Sequence, residues 1–197
     1  MGIFLFPAKV YGLGFPLKRT TLSHDIAILN DVKGRSPDKY YTLISDKYSK
    51  IAPFLDLRKR TVSYRVIQAI INKKLHITVI VPASRLAPKV LCNENNAISF
   101  RLADNADSKR LMGRYQMPFV TTSANISGRK PIRTPKGIKE LRYNDKIRIV
   151  RTSRYNLTGE VSAVLDLSGN TPKVIRYGRD LSKLTLPKTL YNDKILK

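Results

Sequence analysis

Two short stretches carry side chains whose types and spacing suit chemistry on an anionic ligand. Residues 33–39 read KGRSPDK, so Lys33 and Arg35 bracket a single glycine. Cations placed this way can converge on a phosphate or a carboxylate, and the arginine adds a planar bidentate fork. Taken alone, Lys33 is also explained as a cation at a helix C-terminus, where it complements the dipole. Residues 118–128 read PFVTTSANISG, a short apolar run followed by Thr121, Thr122, Ser123, Ala124 and Asn125. Such side chains fill a core poorly. They bring hydroxyl, amide and backbone donors close to a bound group with no bulk in the way. A third stretch, VYGLG at 10–14, follows an apolar run and reads as a tight turn. It has neither the Gly-Lys-Ser/Thr of a P-loop nor the third glycine of a dinucleotide fingerprint. No nucleophile–base pair can be drawn: Ser123 has no evident base, His24 reads as a surface helix residue, and His76 opens a strand. Positioning and charge neutralisation, as in phosphoryl or nucleotidyl transfer, fit these residues better than general acid–base work.

The elements that must position these side chains follow from periodicity. Apolar runs ending at Pro7 and Pro82 read as buried strands at 3–6 and 76–84. Further strands are expected at 40–45, 97–104, 118–125 and at KIRIVR, VSAVLDLSG and KVIRYG. Ile26, Leu29 and Val32 share one side of a helix that stops at Gly34. A second helix is expected over 61–74, a third near 107–116, and a short one near 135–141. Several strands succeed one another without a helix between them. That predicts a single α/β domain whose open twisted sheet mixes parallel and antiparallel strands, with flanking helices. The domain is expected over 1–180, with 181–197 as a peripheral tail.

Composition narrows the partners. In 197 residues there are 37 Lys plus Arg against 14 Asp plus Glu, a formal charge of +23. Such an excess attracts polyanions without specifying a fold. Between Arg129 and Arg154 lie ten Lys and Arg residues but only Glu140 and Asp145. A solvated surface explains any one of them; the block reads as an anion-facing surface, with Arg129, Lys130, Arg148, Arg151 and Arg154 as candidate RNA contacts. Cys92 is the single cysteine and His24 and His76 the only histidines, so no intramolecular disulfide is possible and no metal site is expected. No apolar run approaches the ~20 residues of a membrane-spanning helix, and no signal peptide is read at the start. A cytoplasmic protein without a membrane partner is the expectation.

The order of these stretches resembles the YrdC-like family of threonylcarbamoyl-adenylate synthases. The shared elements run from residue 3 to about 178: VYGLG, KGRSPDK, ITVIVPAS, ISFRLAD around Arg101, PFVTTSANISG, GEVSAVLDL and PKVIRYG. The family's Lys-x-Arg and Ser-x-Asn set is complete as Lys33, Arg35, Ser123 and Asn125. The resemblance implies that L-threonine and bicarbonate form a carbamate, which attacks the α-phosphate of ATP and releases pyrophosphate. ATP would be a substrate carried with magnesium, with no tightly bound cofactor. The adenylate would reach tRNA directly or through a downstream threonylcarbamoyl-transferase complex. It further implies Lys33 and Arg35 as catalytic residues neutralising substrate charge, and Arg101, Ser123 and Asn125 joining them around ATP. Tyr11, Arg35, Thr121 and Ser162 would face threonine.

The chain departs from the family pattern in three places. Pro7-Ala8-Lys9-Val10-Tyr11-Gly12 is one residue shorter than the family's first loop and lacks its threonines. NKKLH at 72–76 stands where the family has Pro-Gly-Pro ahead of the ITVIV strand. Ala163 also replaces the threonine of a Ser-Thr pair. A non-catalytic module binding tRNA or double-stranded RNA on the same fold is the alternative, favoured by the charge and opposed by the intact four-residue set. A carbamoyl-transfer module of the hydrogenase-maturation kind ranks third, because those domains sit in longer chains with zinc-finger-like segments.

Overall fold

A computed structural model describes residues 2–36, 40–58, 61–142, 145, 147–150 and 157–184. Among the described residues, nine strands and three α-helices follow in the order β1 (Ile3–Phe6), β2 (Gly12–Pro16), α1 (Leu22–Lys33), β3 (Thr42–Ser45), α2 (Thr61–Asn72), β4 (Ile77–Pro82), β5 (Ala97–Leu102), α3 (Ala106–Gly113), β6 (Phe119–Ser123), β7 (Ile147–Ile149), β8 (Ala163–Asp166) and β9 (Lys173–Arg176). They build one sheet in the order β7-β1-β2-β6-β3-β5-β4-β8-β9. Three pairs are parallel, β1 with β7, β3 with β5 and β4 with β8, and the remaining five are antiparallel. The expected mixed sheet is the one observed.

Because side chains alternate along a strand, the sheet has two distinct faces. Leu5, Leu13, Val120, Leu43, Phe100, Val79 and Leu165 point to one face and are buried against Ile26, Leu29 and Val32 of α1 and Val66, Ile67 and Ile70 of α2. On the opposite face, Phe4, Phe6, Ile44 and Phe119 pack with Leu111 and Met112 of α3. That helix is short, capped by Asn105, whose side chain accepts from the Ser108 amide at 2.9 Å. The rest of this second face stays open.

One expectation needs correction. Gly12 and Gly14 do not form a turn; they lie inside β2. Their use is space: a Cβ on Gly12 would come 2.7 Å from the Phe6 ring, and one on Gly14 would come 2.5 Å from the Val120 carbonyl oxygen. Just past the expected boundary at residue 180, Leu181 and Leu184 are buried in the core. Residues 185–197 lie outside the described residues. Among the described residues no helix is long and apolar enough to cross a membrane.

Candidate active site

The open half of the second face is a cleft of about 470 Å³. Its floor is a row of hydroxyls fixed by strand register. Thr42 of β3 lies opposite Thr121 of β6 on one side and Ser99 of β5 on the other. Thr121 Oγ1 donates to the Thr42 carbonyl at 2.8 Å, Thr42 Oγ1 and Ser99 Oγ are 3.0 Å apart, and Ser99 Oγ donates to the Tyr41 carbonyl at 3.1 Å. Arg101, two residues along β5 from Ser99, faces the cleft beside them; Arg129 and Arg176 are its other guanidiniums. No carboxylate is on the wall among the described residues. The site is therefore cationic and rich in donors.

At one end the chain leaving β6 forms a loop tied by main-chain bonds. The Ala124 amide donates to the Tyr11 carbonyl at 2.8 Å, the Ile132 amide to the Ala124 carbonyl at 2.7 Å, and the Tyr11 amide to the Ile132 carbonyl at 3.3 Å. Lys33 lies beneath this loop, only 3% exposed. Its Nζ donates to the Ser123 carbonyl, to the Asn125 carbonyl at 2.8 Å and to Asn125 Oδ1 at 3.1 Å. An ammonium has three N–H groups, so these three acceptors engage all of them. Ser123 Oγ also donates to Asn125 Oδ1 at 2.5 Å, while Asn125 Nδ2 donates to the carbonyls of Ile126 and Arg129 at 2.8 and 2.9 Å.

Gly34, at φ 55°, ends α1 in a left-handed turn that swings Arg35 off the helix. The guanidinium then donates to Thr122 Oγ1 at 2.9 Å and to the Tyr40 carbonyl at 2.8 Å, and lies 4.5 Å over the Tyr41 ring. Its Nε is buried without a hydrogen-bond partner. Burial pushes the Arg35 pKa below its ordinary value, with Tyr41 opposing, and pushes the Tyr41 phenol up, with Arg35 opposing. The guanidinium remains a cation at neutral pH.

At the other end side chains take over. Arg101 NH1 lies 2.8 Å from Nδ1 and 2.5 Å from Nε2 of His76, and His76 Nδ1 is 2.9 Å from Asp104 Oδ2. The His76 amide donates to Asp180 Oδ2 at 2.8 Å, and Lys9 Nζ stands 3.5 Å from that same oxygen. Burial would raise the Asp180 carboxyl. The Lys183 hydrogen bond, the His76 amide and the charge of Lys9 outweigh it and hold the pKa to about 2. Beside this group Arg176 donates to Ser162, from Nε to the carbonyl at 2.9 Å and from NH2 to Oγ at 3.2 Å; Ser162 Oγ is 2.8 Å from Thr78 Oγ1.

Of the expected site residues, Tyr11, Arg101, Thr121, Ser123, Asn125 and Ser162 line the cleft. Lys33 and Arg35 stand behind its wall, holding residues that do. The five candidate RNA contacts do not form one described surface. Arg129 lines the cleft, Lys130 is exposed next to it, and Arg148 is exposed on the edge strand β7. Arg151 and Arg154 lie outside the described residues. His76, Thr78 and Arg176 were not among the expected site residues. Period-two counting back from Ile80 would have placed Thr78 and His76 on the cleft face. Arg176 is found only from the pairing of Val164 with Arg176 across β8 and β9.

Fold and site together define a class: an α/β protein with one mixed sheet, one closed face, and an open face carrying a cationic, hydroxyl-floored cleft. A family model described as "Telomere recombination" matches residues 3–178, and the chain belongs to this Sua5/YciO/YrdC family. Curated relatives named threonylcarbamoyl-AMP synthase include one from Photorhabdus laumondii, 29% identical over 75% of this chain and 76% of that protein, and one from Coxiella burnetii, 30% identical over 74% and 75%. Another, from Thiobacillus denitrificans, is 27% identical over 89% of this chain and 88% of its own. Among solved structures, E. coli YciO superposes with a TM-score of 0.72 at 20% identity, covering 93% of this chain and 87% of YciO. P. abyssi Sua5 carrying the H234A and Y235A substitutions superposes at 0.77 and 20%, covering 94% of this chain. The chain spans only 56% of that protein.

Proposed function

We propose that the chain is an L-threonylcarbamoyladenylate synthase acting in tRNA threonylcarbamoyladenosine modification. One observation carries the reading: a cleft with three guanidiniums, a floor of hydroxyls and no carboxylate on its described wall is complementary to a triphosphate and a carboxylate held together. The names of the curated relatives supply the chemistry. The threonine nitrogen and bicarbonate give a carbamate and water. A carbamate oxygen then attacks the α-phosphorus of ATP, the bond to the bridging oxygen breaks, and pyrophosphate leaves. Little covalent help is needed from the protein, so positioning and charge neutralisation dominate. Ser123, Asn125 and Arg101 bind ATP, while Tyr11, Thr121 and Ser162 face threonine. Lys33 and Arg35 supply positive charge directly behind the loop that meets the phosphates. Magnesium enters with the triphosphate.

The test is pyrophosphate release by the full chain from ATP and bicarbonate, with and without L-threonine. Release that requires threonine is the expected result. Absence of release together with retained ATP binding by calorimetry would overturn threonine as the acyl substrate. Absence of ATP binding would favour the second reading, an RNA-binding module, which rests on the net charge of +23. In that case Arg148→Glu should weaken RNA binding and reduce its salt dependence.

A further inference from the structure

Three guanidiniums reach the cleft, and the protein itself engages them to different extents. Arg101 stands beside His76 on the wall, and Arg176 donates from Nε and NH2 to Ser162. Arg129 is exposed, and among the described residues its guanidinium has no hydrogen-bond partner and no carboxylate within ion-pair distance. All five of its N–H groups are left for a ligand. Its backbone, in contrast, is held on both sides. The Arg129 amide donates to the Ile126 carbonyl at 3.0 Å, closing a turn over 126–129, and the Arg129 carbonyl accepts from Asn125 Nδ2 at 2.9 Å. Gly128 takes the third position of that turn at φ 82°. A Cβ there would meet nothing within 4 Å, so glycine serves its conformation and not its small size. Asn125 is held in turn by Lys33, whose Nζ lies 3.1 Å from Oδ1. The charge of the buried lysine is committed to the loop, and the loop carries a second cation round to the open side.

We propose that Arg129 binds the β- and γ-phosphates of ATP and stays with them as pyrophosphate departs. This rests on the synthase reading above. Two features select the outer phosphates among the charged groups of that reaction. Arg129 shares its loop with Ser123 and Asn125, which hold ATP in that reading, and is bonded to Asn125 directly. The acyl end, at Ser162, already has a guanidinium in Arg176. When the carbamate oxygen attacks the α-phosphorus, the bond from phosphorus to the α–β bridging oxygen breaks, and its electron pair goes to that oxygen. Negative charge therefore grows on the leaving pyrophosphate. A planar fork at the open rim neutralises that charge where it develops. An exposed arginine also suits a group that must pass into solvent. Lys33, 3% exposed and bonded to the loop, lies too deep for that role.

The test is calorimetric binding of pyrophosphate, ATP and AMP to the full chain with magnesium present, beside the pyrophosphate-release assay. Arg129→Gln removes the charge and the fork but neither backbone bond, so Tm should stay within about 2 °C of wild type. Affinity for pyrophosphate and for ATP should fall about tenfold. Affinity for AMP, which lacks the outer phosphates, should change by less than about twofold. In the assay kcat should fall about tenfold, with the KM for threonine within about twofold. Lys139→Gln, which removes one exposed charge from the same basic block outside the cleft lining, should bind pyrophosphate as wild type does. An equal loss in Arg129→Gln and Lys139→Gln would reduce Arg129 to general surface charge and overturn the proposal. An equal loss for AMP would also overturn it, by placing the guanidinium on the α-phosphate. So would a rise confined to the KM for threonine, which would place it on the acyl carboxylate, or a wild type that binds no pyrophosphate. A wild type that binds ATP and pyrophosphate through Arg129 yet releases no pyrophosphate with threonine would overturn the synthase reading alone.

Discussion

The two ends of the cleft are built from different materials. At the loop end, main-chain bonds join residues 11, 124 and 132, and one buried lysine holds the carbonyls of Ser123 and Asn125 from behind. At the strand end, Lys9, His76, Arg101, Asp104 and Asp180 hold one another by side chains that nearly all carry or can carry charge. By the resemblance drawn from the sequence, the Lys33, Arg35, Ser123 and Asn125 set belongs to the loop end, whereas Lys9 and His76 of the strand end stand in stretches that depart from the family pattern. A site anchored by backbone geometry tolerates few changes to its anchors. A charge network can be rewired so long as donors and acceptors still balance, but it becomes sensitive to pH.

The largest effect should follow from Lys33→Met. The apolar side chain fills the volume yet takes the ammonium from the carbonyls of Ser123 and Asn125 and leaves Asn125 Oδ1 with the Ser123 hydroxyl alone. The expected cost is about 2–3 kcal/mol of stability, roughly a 4–10 °C fall in Tm, with turnover down at least about a hundredfold. A variant with wild-type Tm and turnover would show that the loop does not depend on the buried ammonium. Arg35→Lys keeps a charge but loses the fork between Thr122 and Tyr40, and with it the stacking on Tyr41. Turnover should fall about ten- to a hundredfold while Tm stays within a few degrees. Equal loss of Tm and turnover would make Arg35 a structural residue.

The strand end should answer to pH instead. A histidine whose folded pKa lies below its ordinary value binds fewer protons folded than unfolded as the pH falls through 6.5. Its neutral form therefore contributes stability that is present above the ordinary value and lost on acidification through the folded value. Asp104 and Asp180, both lowered from 3.8, add a second loss that begins only below about pH 4 and for Asp180 extends to about 2. Wild-type Tm should decline as the pH falls below the ordinary histidine value of 6.5, and His76→Gln should remove that first slope while leaving the second. One coincident slope in both proteins would mean that His76 is not held neutral.

Local pattern made the loop end legible and left the strand end hidden. Ile26, Leu29 and Val32 at helical spacing disclose α1, Gly34 its end, and the small polar run after Phe119 the loop, each signal confined to a few neighbouring residues. That Lys33 lies under that loop depends on a contact 90 residues away in sequence. His76 gains its meaning from Asp180, 104 residues on. Gly12 and Gly14 read locally as a turn because their close neighbours, Phe6 and Val120, are supplied by adjacent strands. Arg129 was assigned to a basic surface because charge counting does not say which way a loop folds; the Asn125 side chain, bonded to the Arg129 carbonyl, brings it to the cleft.

The smallest effect should come from Lys9→Met, which tests where the strand end stops. Lys9 makes only long ion pairs, 3.8 Å to Glu160 and 3.5 Å to Asp180, with its side chain 20% exposed. Asp180 keeps Lys183 and the His76 amide when Lys9 is gone. The first loop keeps its backbone anchors, the Asn105 side chain on the Pro7 carbonyl at 2.7 Å and the Gly159 amide on the Lys9 carbonyl at 2.9 Å. Pairs this long, with Asp180 still holding two other donors, contribute about 1 kcal/mol or less, so Tm should fall by no more than roughly 2–4 °C. Because Lys9 is absent from the cleft lining, the KM for threonine should stay within about twofold. A tenfold rise would place the ammonium on the substrate carboxylate and extend the charge network into the acyl pocket.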